Sequence, residues 1–375
     1  MNTISLARRL GATACALLAL AAAHAADPVR IGVLLSTTGP GAATGIPDRN
    51  GLLLAQKVIN AKGGIQGRPV ELVFEDDTSS PDVAISKVNT LIHTHKVKLV
   101  IGPNLIGNTV AAGAITDRLG IPHIAITGIN QAAEGKRTCV FHTLPAQELN
   151  ARGLLAYATK GLHAKRLAIL HDTGYGQVVT NALKQLESEY GVQYVGIEKF
   201  EIGATDVTTQ AAKLKATNPE AVLVISLSAV PFRAVHQVRL NVPVLAANAS
   251  ATYETVKAMG DAADNIVFPE HVVGEDPLPH QTEFVAAFRK EYEGRLPKSF
   301  ETAAWDSLQI AAKALAEAGP DAPAQKVCDA IRKPYQGALA RFDFSAKDQT
   351  GLRLSDTVYS KLTAGKFSRL PFKAD

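Results

Sequence analysis

Residues 29–74 constrain the fold more than any other part of the chain. Residues 29–35 read VRIGVLL, a short apolar run rich in β-branched side chains, which is typical of a strand buried on both faces of a parallel sheet. A turn containing Gly and Pro follows, and from about Pro47 apolar residues recur at helical spacing until Gly63 and Gly64. The pattern predicts a βαβ unit. Because open α/β sheets bind ligands at the carboxyl ends of their strands, the turn after the first strand is a candidate site.

Strand and helix patterns alternate along the chain in two series. The first series ends with a strand-like segment over residues 139–143, and Pro145 marks a first crossing between two lobes. The second series continues to residue 247, with one αβ pair in roughly every 25 residues. The alternation predicts an α/β fold with two doubly wound, Rossmann-like lobes, one for each series.

The later part of the chain is predicted to return to the first lobe and then to cross again. Residues 275–277 mark the second crossing, and three helical patterns follow it. Residues 337–345 mark a third crossing, and a hairpin over residues 358–367 closes the second lobe. We therefore expect a hinge of three segments. The predicted first lobe comprises residues 26–143 and 277–336, and the predicted second lobe comprises residues 144–276 and 337–375.

Six motifs occur in an order that is found in a known family. They are STTGP at 36–40, INAKGGI at 59–65, EDD at 75–77, LVIGP at 99–103, HDTGYG at 171–176 and WD at 305–306. In this order the chain resembles the periplasmic binding proteins of the leucine/isoleucine/valine type. The resemblance implies the type I periplasmic binding protein fold. It also implies a solute-binding protein of a branched-chain-amino-acid-type ABC importer, which captures a small ligand by closure of the cleft between its lobes.

Residues 1–25 are predicted to be a secretory signal peptide that is cleaved near Ala25. Arg8 and Arg9 form its positive end, an apolar segment follows, and the sequence AHA fits a small-x-small cleavage site. A lipoprotein acylated at Cys15 is the alternative, although Cys15 lacks the leucine that usually stands three residues earlier. No later segment approaches the ~20 apolar residues of a membrane span. These features predict an exported, periplasmic protein.

The composition argues against nucleic acid as a partner. The formal net charge is +4, and Lys and Arg are scattered instead of being clustered in a stripe. Aromatic residues make up 6% of the chain, which is too few for an aromatic platform that stacks bases. We therefore expect the partners to be a small-molecule ligand and the membrane permease of the importer, and we expect a monomer.

Two cysteines, Cys139 and Cys328, remain beyond the predicted signal peptide. An oxidising periplasm permits a disulfide between them. The sequence alone does not establish that their Cβ atoms approach each other. A disulfide and two free buried thiols are therefore both compatible with the sequence.

Catalytic and metal-binding signatures are sparse. His171, Asp172 and Ser228 are the best candidates for a hydrolytic triad, but adjacent residues at a strand end are poorly placed to act as base and orienting acid. The segment GPNLIGNT fits a phosphate-binding loop except that Asn108 stands where the lysine is needed. The HTH segment at 93–95 lacks a further ligand at zinc-site spacing. We therefore expect no enzymatic activity, no cofactor and no metal.

Polar groups at strand ends are the candidate ligand-binding groups, because free amides, hydroxyls and helix N-termini hold a small carboxylate without a full countercharge. The resemblance places the ligand's carboxylate near Thr127 and the turn over residues 105–108, and it matches Tyr175 to a tyrosine of the second lobe. Strand-end capping is the alternative role for Thr127. Ser226 and Ser228 could instead simply end their strand, without contacting a ligand. The predicted ligand-binding residues are Thr44, Leu105, Ile106, Asn108, Thr127, Gly128, Tyr175, Ser226, Ser228 and Asn248.

One expected acid is missing. Amino-acid binders of the family that this chain resembles typically place an acid near the strand end before residue 252, where it pairs with the ligand's ammonium group, and no acid occurs at residues 243–251. A buried ammonium without a partner carboxylate costs several kcal/mol. The sequence therefore favours a small apolar or aromatic carboxylate or amide, with Val230 among its contacts, over an α-amino acid. Glu254 and Glu270 are the possible substitutes for the missing acid.

Two other classes of protein stay open at this point. A ligand-sensing receptor or regulator domain uses the same fold, and the absence of a fused signalling domain in the sequence argues against it. An exported hydrolase is the more remote alternative, and turnover of a bound ligand would reveal it. The solute-binding protein is the function that the residues and the resemblance favour together.

Overall fold

Two largely parallel sheets, one in each lobe, organise the computed structural model, which describes residues 27–129, 137–344 and 349–374. The predicted signal peptide lies outside the described residues. The first sheet has the order β2-β1-β3-β4-β5, with every neighbouring pair parallel. Because the order reverses between β1 and β3, the first sheet has its topological switch point there. Its strands are β1 (Val29–Leu35), β2 (Val70–Asp76), β3 (Val100–Ile101), β4 (His123–Ala125) and β5 (Val140–His142).

The second sheet repeats this topology. Its parallel strands follow the order β7-β6-β8-β9-β10, so its switch point lies between β6 and β8. The predicted closing hairpin is present as two antiparallel strands beside β10. A short antiparallel pair, β11 and β12, stands apart from both sheets. The strands are β6 (Arg166–Asp172), β7 (Gln193–Phe200), β8 (Ala221–Ile225), β9 (Val244–Ala246), β10 (Ile266–Glu270), β11 (Tyr335–Gln336), β12 (Arg341–Phe342), β13 (Val358–Thr363) and β14 (Lys366–Leu370).

Eleven α-helices connect the strands within the described residues. Among these residues, no helix is both long and apolar enough to cross a membrane. Short π-helical turns extend the second and fourth helices, at Thr90–Thr94 and Tyr157–Gly161. The helices are α1 (Ala42–Ala61), α2 (Pro81–Asn89), α3 (Ile106–Leu119), α4 (Gln147–Ala156), α5 (Tyr175–Tyr190), α6 (Thr208–Ala216), α7 (Val230–Gln237), α8 (Tyr253–Met259), α9 (Thr282–Glu291), α10 (Ser299–Ala318) and α11 (Ala324–Ile331).

Helix α1 begins before the proline at which the sequence pattern placed its start. It begins at Ala42, so Pro47 lies inside the helix. The first turn packs directly against the end of β1, since a Cβ atom on Gly45 would lie 2.1 Å from the carbonyl oxygen of Ser36. Only glycine permits this close approach, which sets the first turn of α1 directly against the end of β1.

Helices α9 and α10 belong to the core of the first lobe. Helix α10 packs against α1 so closely that a Cβ atom on Gly51 would lie 2.1 Å from the carbonyl oxygen of Glu301. The rings of Phe284 in α9 and Trp305 in α10 have centroids 5.1 Å apart. The chain therefore returns to the first lobe after the second crossing.

The chain is still in the first lobe after Gly337, where the sequence placed the third crossing. The backbone N–H groups of Ala338 and Leu339 donate to the carboxylate of Asp306 in α10, at 2.8 and 2.7 Å. Phe342 is fully buried in the same core. Asp306 therefore anchors this segment to the first lobe and delays the crossing.

Cys139 and Cys328 form a disulfide, with Cα atoms 5.6 Å apart. Of the two states that the sequence left open, the structure therefore contains the bridge. It joins the segment before β5 to helix α11. One segment precedes most of the second lobe in the chain and the other follows it. The disulfide therefore links the two discontinuous parts of the first lobe.

A buried ion pair joins the lobes beside the hinge. Lys298, just before α10, reaches Glu270 at the end of β10, with Nζ 2.9 Å from Oε1 and 2.8 Å from Oε2. Both side chains are almost fully buried. The Lys298 ammonium also lies 3.4 Å from the ring centroid of Phe367 in the second lobe. The Lys298 side chain therefore contacts Glu270 and Phe367 of the second lobe, although Lys298 directly precedes a helix of the first lobe.

Replacing Glu301 by glutamine is expected to remove a pH-dependent part of the stability. Burial raises the pKa of Glu301 from 4.5 to about 7. The stability that protonated Glu301 contributes is therefore fully present below pH 4.5 and is lost as the pH rises through 7. Between pH 4.5 and 8, the free energy of unfolding of Glu301→Gln should rise relative to the wild type by about 3 kcal/mol. Urea unfolding across this range measures the difference, and parallel pH profiles would contradict the prediction.

Candidate ligand-binding cleft

A cavity of about 920 Å³ lies between the lobes, at the carboxyl ends of both sheets. Both topological switch points open into it, because the loops after β1, β3, β6 and β8 all contribute lining residues. The switch point is where open α/β sheets bind their ligands. Two such points therefore face one cavity.

A network of buried side chains shapes the first-lobe wall. The backbone N–H of Ser36 donates to Asn104 Oδ1 at 2.8 Å, and Asn104 Nδ2 donates to Thr44 Oγ1 at 2.7 Å. The Ser36 hydroxyl donates to Asp77 Oδ1 at 2.5 Å. Thr44 itself donates to the carbonyl of Gly41 at 3.1 Å. Thr44 lines the cavity as predicted, and its hydroxyl also holds the loops after β1 and β3 together.

The N-terminus of α3 presents free amides to the cavity. Its N-cap residue Leu105 makes no side-chain cap, and the first hydrogen bond back to Leu105 comes from Thr109. Among the described residues, no group accepts a hydrogen bond from the N–H groups of Ile106 and Gly107, and both residues line the cavity. The positive end of the helix and these donors can hold an anion.

Asn108 does not line the cavity, in contrast to the prediction. Its side chain is buried in the first turn of α3, and Nδ2 has no hydrogen-bond partner among the described residues. The helix begins three residues earlier than the sequence pattern indicated, so Asn108 is inside the helix instead of in the turn before it. Backbone amides, and not this side chain, are the donors at this wall.

Thr127 and Gly128 lie where the first lobe meets the first crossing. A Cβ atom on Gly128 would lie 1.9 Å from the carbonyl oxygen of Pro145, so only glycine fits there. The carbonyl of Thr127 is hydrogen-bonded by His142 at 2.9 Å, and that of Gly128 by Gln147 at 2.7 Å. Both residues line the cavity, and these bonds fix their backbone against the hinge.

The second-lobe wall is built on the turn that opens α5. Asp172 Oδ1 accepts hydrogen bonds from the N–H groups of Gly174 and Gly176, each at 2.9 Å. The Tyr175 hydroxyl donates to Asn248 Oδ1 at 3.3 Å. Burial raises the pKa of Tyr175, so its phenol stays neutral and keeps its proton. The tyrosine ring and Asn248 thus form one side of the cavity.

The two predicted serines form part of the same wall. The N–H of Ser228 donates to Ser226 Oγ at 3.1 Å, and Ser250 donates to the carbonyl of Ser226 at 2.7 Å. Ser226 therefore holds the turn after β8, while Ser228 is exposed to the cleft. Of the ten predicted residues, all except Asn108 line the cavity, and ligand binding by them stays a prediction.

The cavity contains one carboxylate that sequence reasoning did not assign to it. Among the described residues that line the cavity, Asp172 is the only one with an acidic side chain, and none is Lys, Arg or His. The two substitutes considered for the missing acid lie elsewhere. Glu270 is paired with Lys298, and Glu254 is on the surface beside Arg295. Val230, expected to contact the ligand, packs in the second-lobe core and does not line the cavity.

The residues considered for catalysis are engaged in structural contacts. His171 Nδ1 is hydrogen-bonded to the backbone oxygen of Asp172 at 2.9 Å, and the Asp172 carboxylate caps α5. In the part of the chain that the structure describes, no group of three or more His, Cys, Asp or Glu side chains could hold a metal ion. His95, one of the two histidines considered, lies 3.7 Å from Glu75.

Other lining residues were not predicted. Asn104 lies in a turn that was predicted from its Gly and Pro, but the Asn104 side chain was not predicted to face the cavity. Asp172 was considered only for catalysis. Phe200 ends β7 and Phe300 lies in the first turn of α10. The position of Phe200 at a strand's carboxyl end was a usable signal. Phe300 carries no such signal, because it reaches the cavity only through the return of the chain to the first lobe.

Two doubly wound lobes with one cavity between their switch points form an architecture that can enclose a small ligand. Residues 28–358 match the family described as periplasmic binding protein, and the chain belongs to it. Over 353 residues it is 26% identical to the Leu/Ile/Val-binding protein homolog 1 of Brucella abortus (strain 2308), covering 90% of this chain and 91% of that protein. The predicted resemblance is confirmed.

Two solved structures share the fold. One is the branched-chain amino acid transporter substrate binding protein LivJ from Streptococcus pneumoniae in complex with isoleucine. Its TM-score is 0.80 at 22% identity, covering 92% of this chain and 100% of that chain. The other is a solute binding protein of an ABC transporter from Rhodopseudomonas palustris in complex with benzoate. Its TM-score is 0.81 at 21% identity, covering 92% of this chain and 95% of that chain. The predicted fold class is confirmed.

Proposed function

We propose that this protein is the periplasmic solute-binding component of a branched-chain-amino-acid-type ABC importer. One observation carries the proposal: a single cavity of about 920 Å³ is lined at the switch points of both lobes. A molecule bound there contacts both lobes, so its binding favours the closed arrangement of the cleft. The membrane permease of the importer then recognises the closed, loaded protein.

The ligand is a small molecule with an apolar body and a carboxylate or amide group. The free amides of Ile106 and Gly107 support the polar end, because a cavity without a lining cation must hold an anion with neutral donors. Leu105, Phe200 and Phe300 supply apolar walls. The ligands named for the two solved structures, isoleucine and benzoate, both combine a carboxylate with an apolar body.

Apolar residues on the rims of the cleft support closure. Ile202 is 59% exposed and Val178 is 37% exposed, and both line the second-lobe side of the cavity. Exposed large apolar side chains around a cavity favour an arrangement that removes them from water. Closure of the lobes around a ligand would do this.

A thermal-shift screen of the mature protein tests the ligand class. The panel contains branched-chain and other amino acids, aromatic carboxylates, branched short acids and small amides. A ligand at 100 times its dissociation constant stabilises the protein by roughly 2.7 kcal/mol, which moves the melting midpoint clearly. We expect at least one apolar acid or amide to do so. If no compound of the panel raised the melting midpoint, the proposed ligand class would be contradicted. Chemical turnover of a bound ligand would indicate the hydrolase instead.

Replacing Ile106 by proline is expected to weaken carboxylate binding at least about tenfold, because a hydrogen bond to a charged group contributes about 1.5–3 kcal/mol. Proline deletes the amide proton and is tolerated at the first position of a helix. Leu105 before it is extended, with φ −110° and ψ 141°, the conformation that proline favours in its neighbour. Calorimetric titration with the carboxylate that gives the largest thermal shift measures the change.

The matched control for the proline variant is Ile106→Val, which changes the same side chain and keeps the amide. Its dissociation constant should stay within about fourfold of the wild-type value, since only one methylene, worth about 0.8 kcal/mol, is lost. Equal affinities of the two variants would show that the α3 amide does not hold the ligand.

A further inference from the structure

We propose that Asn104 is a positioning residue of the cleft. Its side-chain amide holds the start of α3, and with it the free N–H groups of Ile106 and Gly107, against the loop after β1, and it does so without contacting the ligand. This inference rests on the proposed function, because it names the residue that keeps in place the amides proposed to hold the polar end of the ligand.

At the first-lobe switch point, the loops after β1 and β3 lead to opposite faces of the sheet. Leu35 of β1 packs in the core that contains α1 and α10, whereas its neighbour Leu34 packs with α2 and α3 on the other face. The two loops therefore diverge at the carboxyl edge, which opens the crevice of a switch point. Among the described residues, no backbone–backbone hydrogen bond joins residues 36–45 to residues 103–108. Any hydrogen-bonded tie between these loops must therefore involve a side chain.

The Asn104 side chain spans this crevice. Its Oδ1 accepts from the N–H of Ser36, directly after β1, at 2.8 Å. Its Nδ2 donates to Thr44 Oγ1 at 2.7 Å and to the carbonyl of Gly41 at 3.1 Å, both at the start of α1. Asn104 itself directly precedes Leu105, the N-cap of α3. One side chain thus joins the end of β1 and the start of α1 to the start of α3.

These bonds leave Asn104 without a donor for a ligand. The amide group of asparagine has two hydrogens, and both are engaged. Asn104 lines the cavity but is only 7% exposed. The N–H groups of Ile106 and Gly107, which follow in the chain, are the free ones. A buried polar network with all its bonds made is rigid, so Asn104 acts on a ligand through the position of these two amides.

Asn60 provides a matched control, because it makes the same kind of bridge away from the cavity. Its Nδ2 donates to the carbonyl of Val70 at 2.9 Å, and its Oδ1 accepts from the N–H of Val70 at 2.7 Å. These bonds join the last turn of α1 to the start of β2, and Asn60 does not line the cavity. Replacing either asparagine by leucine removes a comparable set of hydrogen bonds at a similar side-chain size and without adding charge.

Calorimetric titration with L-leucine and with 3-phenylpropanoate tests the inference. Both compounds are titrated at pH 8 and pH 5 into the wild type, Asn104→Leu, Asn104→Asp and Asn60→Leu, at a temperature where circular dichroism shows each protein folded. Each affinity is compared with that of the wild type at the same pH. In parallel, hydrogen exchange of the proteins without added compound, followed by mass spectrometry, measures the protection of the first turns of α3.

We expect Asn104→Leu to bind at least one of the two compounds about tenfold or more weakly at both pH values, which corresponds to about one lost hydrogen bond to a charged group. Exchange at the start of α3 should be faster in this variant. Asn60→Leu should stay within about threefold of the wild type even where it loses as much stability. Leucine carries no charge, so the loss in Asn104→Leu cannot come from repulsion of an anionic ligand.

The Asn104→Asp variant provides the rescue. Its carboxylate at pH 8 has no donor for Gly41 and Thr44, so binding should be weak. Burial and the nearby Asp77, which accepts from the Ser36 hydroxyl, favour the neutral acid as the pH falls. The neutral acid has one donor and one acceptor in nearly the shape of asparagine. Its affinity should therefore return to within about threefold of the wild type at pH 5, whereas that of Asn104→Leu should not.

Three results would overturn the inference. They are wild-type affinity in Asn104→Leu, equal losses in Asn104→Leu and Asn60→Leu, and a loss of affinity in Asn104→Leu with unchanged exchange at α3, which would indicate a direct contact with the ligand. If neither compound bound the wild type, the proposed apolar acid ligand would be contradicted. The exchange measurement would then decide the positioning role alone, and unchanged protection of α3 in Asn104→Leu would overturn it.

Discussion

Replacing Lys298 by methionine is expected to lower the free energy of unfolding by about 3–5 kcal/mol, because it leaves Glu270 buried without its partner. Both side chains are almost fully buried, and Lys298 places its ammonium 2.9 Å from Glu270 Oε1. Burial raises the pKa of Glu270 even with the lysine present, so the unpaired carboxylate must take up a proton or remain charged in an apolar site. Urea unfolding at pH 7, followed by circular dichroism, measures the change.

Two further variants separate the lost pair from the lost packing. Adding Glu270→Gln to Lys298→Met removes the orphaned charge, so the double variant should be more stable than the single one. Lys57→Met is the surface control, because Lys57 pairs with Glu291 at 2.6 Å but its side chain is 64% exposed. That change should cost less than about 1 kcal/mol. A Lys298→Met variant as stable as Lys57→Met would contradict the prediction.

The βαβ unit of residues 29–74 could be predicted because its signals are local. A β-branched strand, a Gly-containing turn, a helical apolar period and two closing glycines each point to the same element, and the structure contains all of them. The same holds for the closing hairpin, where Ala364 and Gly365 adopt positive φ between β13 and β14.

The errors in the fold come from contacts between segments that are distant in sequence. Helix α1 starts before Pro47, and its Gly45 packs on the backbone at the end of β1. The chain stays in the first lobe beyond Gly337 because Asp306, about thirty residues earlier, binds the following two backbone amides. Neither partner can be identified from the local pattern around the element that it moves.

The position of the cavity could be predicted more securely than the role of its residues. Thr44, Thr127 and Tyr175 all follow strands or begin helices at the carboxyl edge, and the rule for open α/β sheets brings such residues together. The direction in which a side chain points could not be predicted in the same way. Whether the Asn108 side chain faces the cavity depends on where α3 begins. The orientation of the Asp172 carboxylate is set by its hydrogen bonds to the first turn of α5.

Removing the disulfide between Cys139 and Cys328 is expected to lower the free energy of unfolding by about 2–5 kcal/mol. The two cysteines are separated by 189 residues, and the intervening chain includes most of the second lobe. In the chain-entropy account, a longer closed loop gives a larger stabilisation, so the value should lie in the upper part of this range. Chemical unfolding of Cys139→Ala/Cys328→Ala under oxidising conditions measures the loss.

The single variants decide whether this loss comes from the cross-link or from packing. Either Cys139→Ala or Cys328→Ala abolishes the same covalent bond, so each should lose nearly as much stability as the double variant, and the losses should be strongly non-additive. Reduction of the wild type should produce a similar loss without changing any side-chain volume. If each single variant lost about half of the double variant's loss, and reduction had no effect, the two side chains would act only by filling the core. The bridge would then not be what holds the discontinuous segments of the first lobe together.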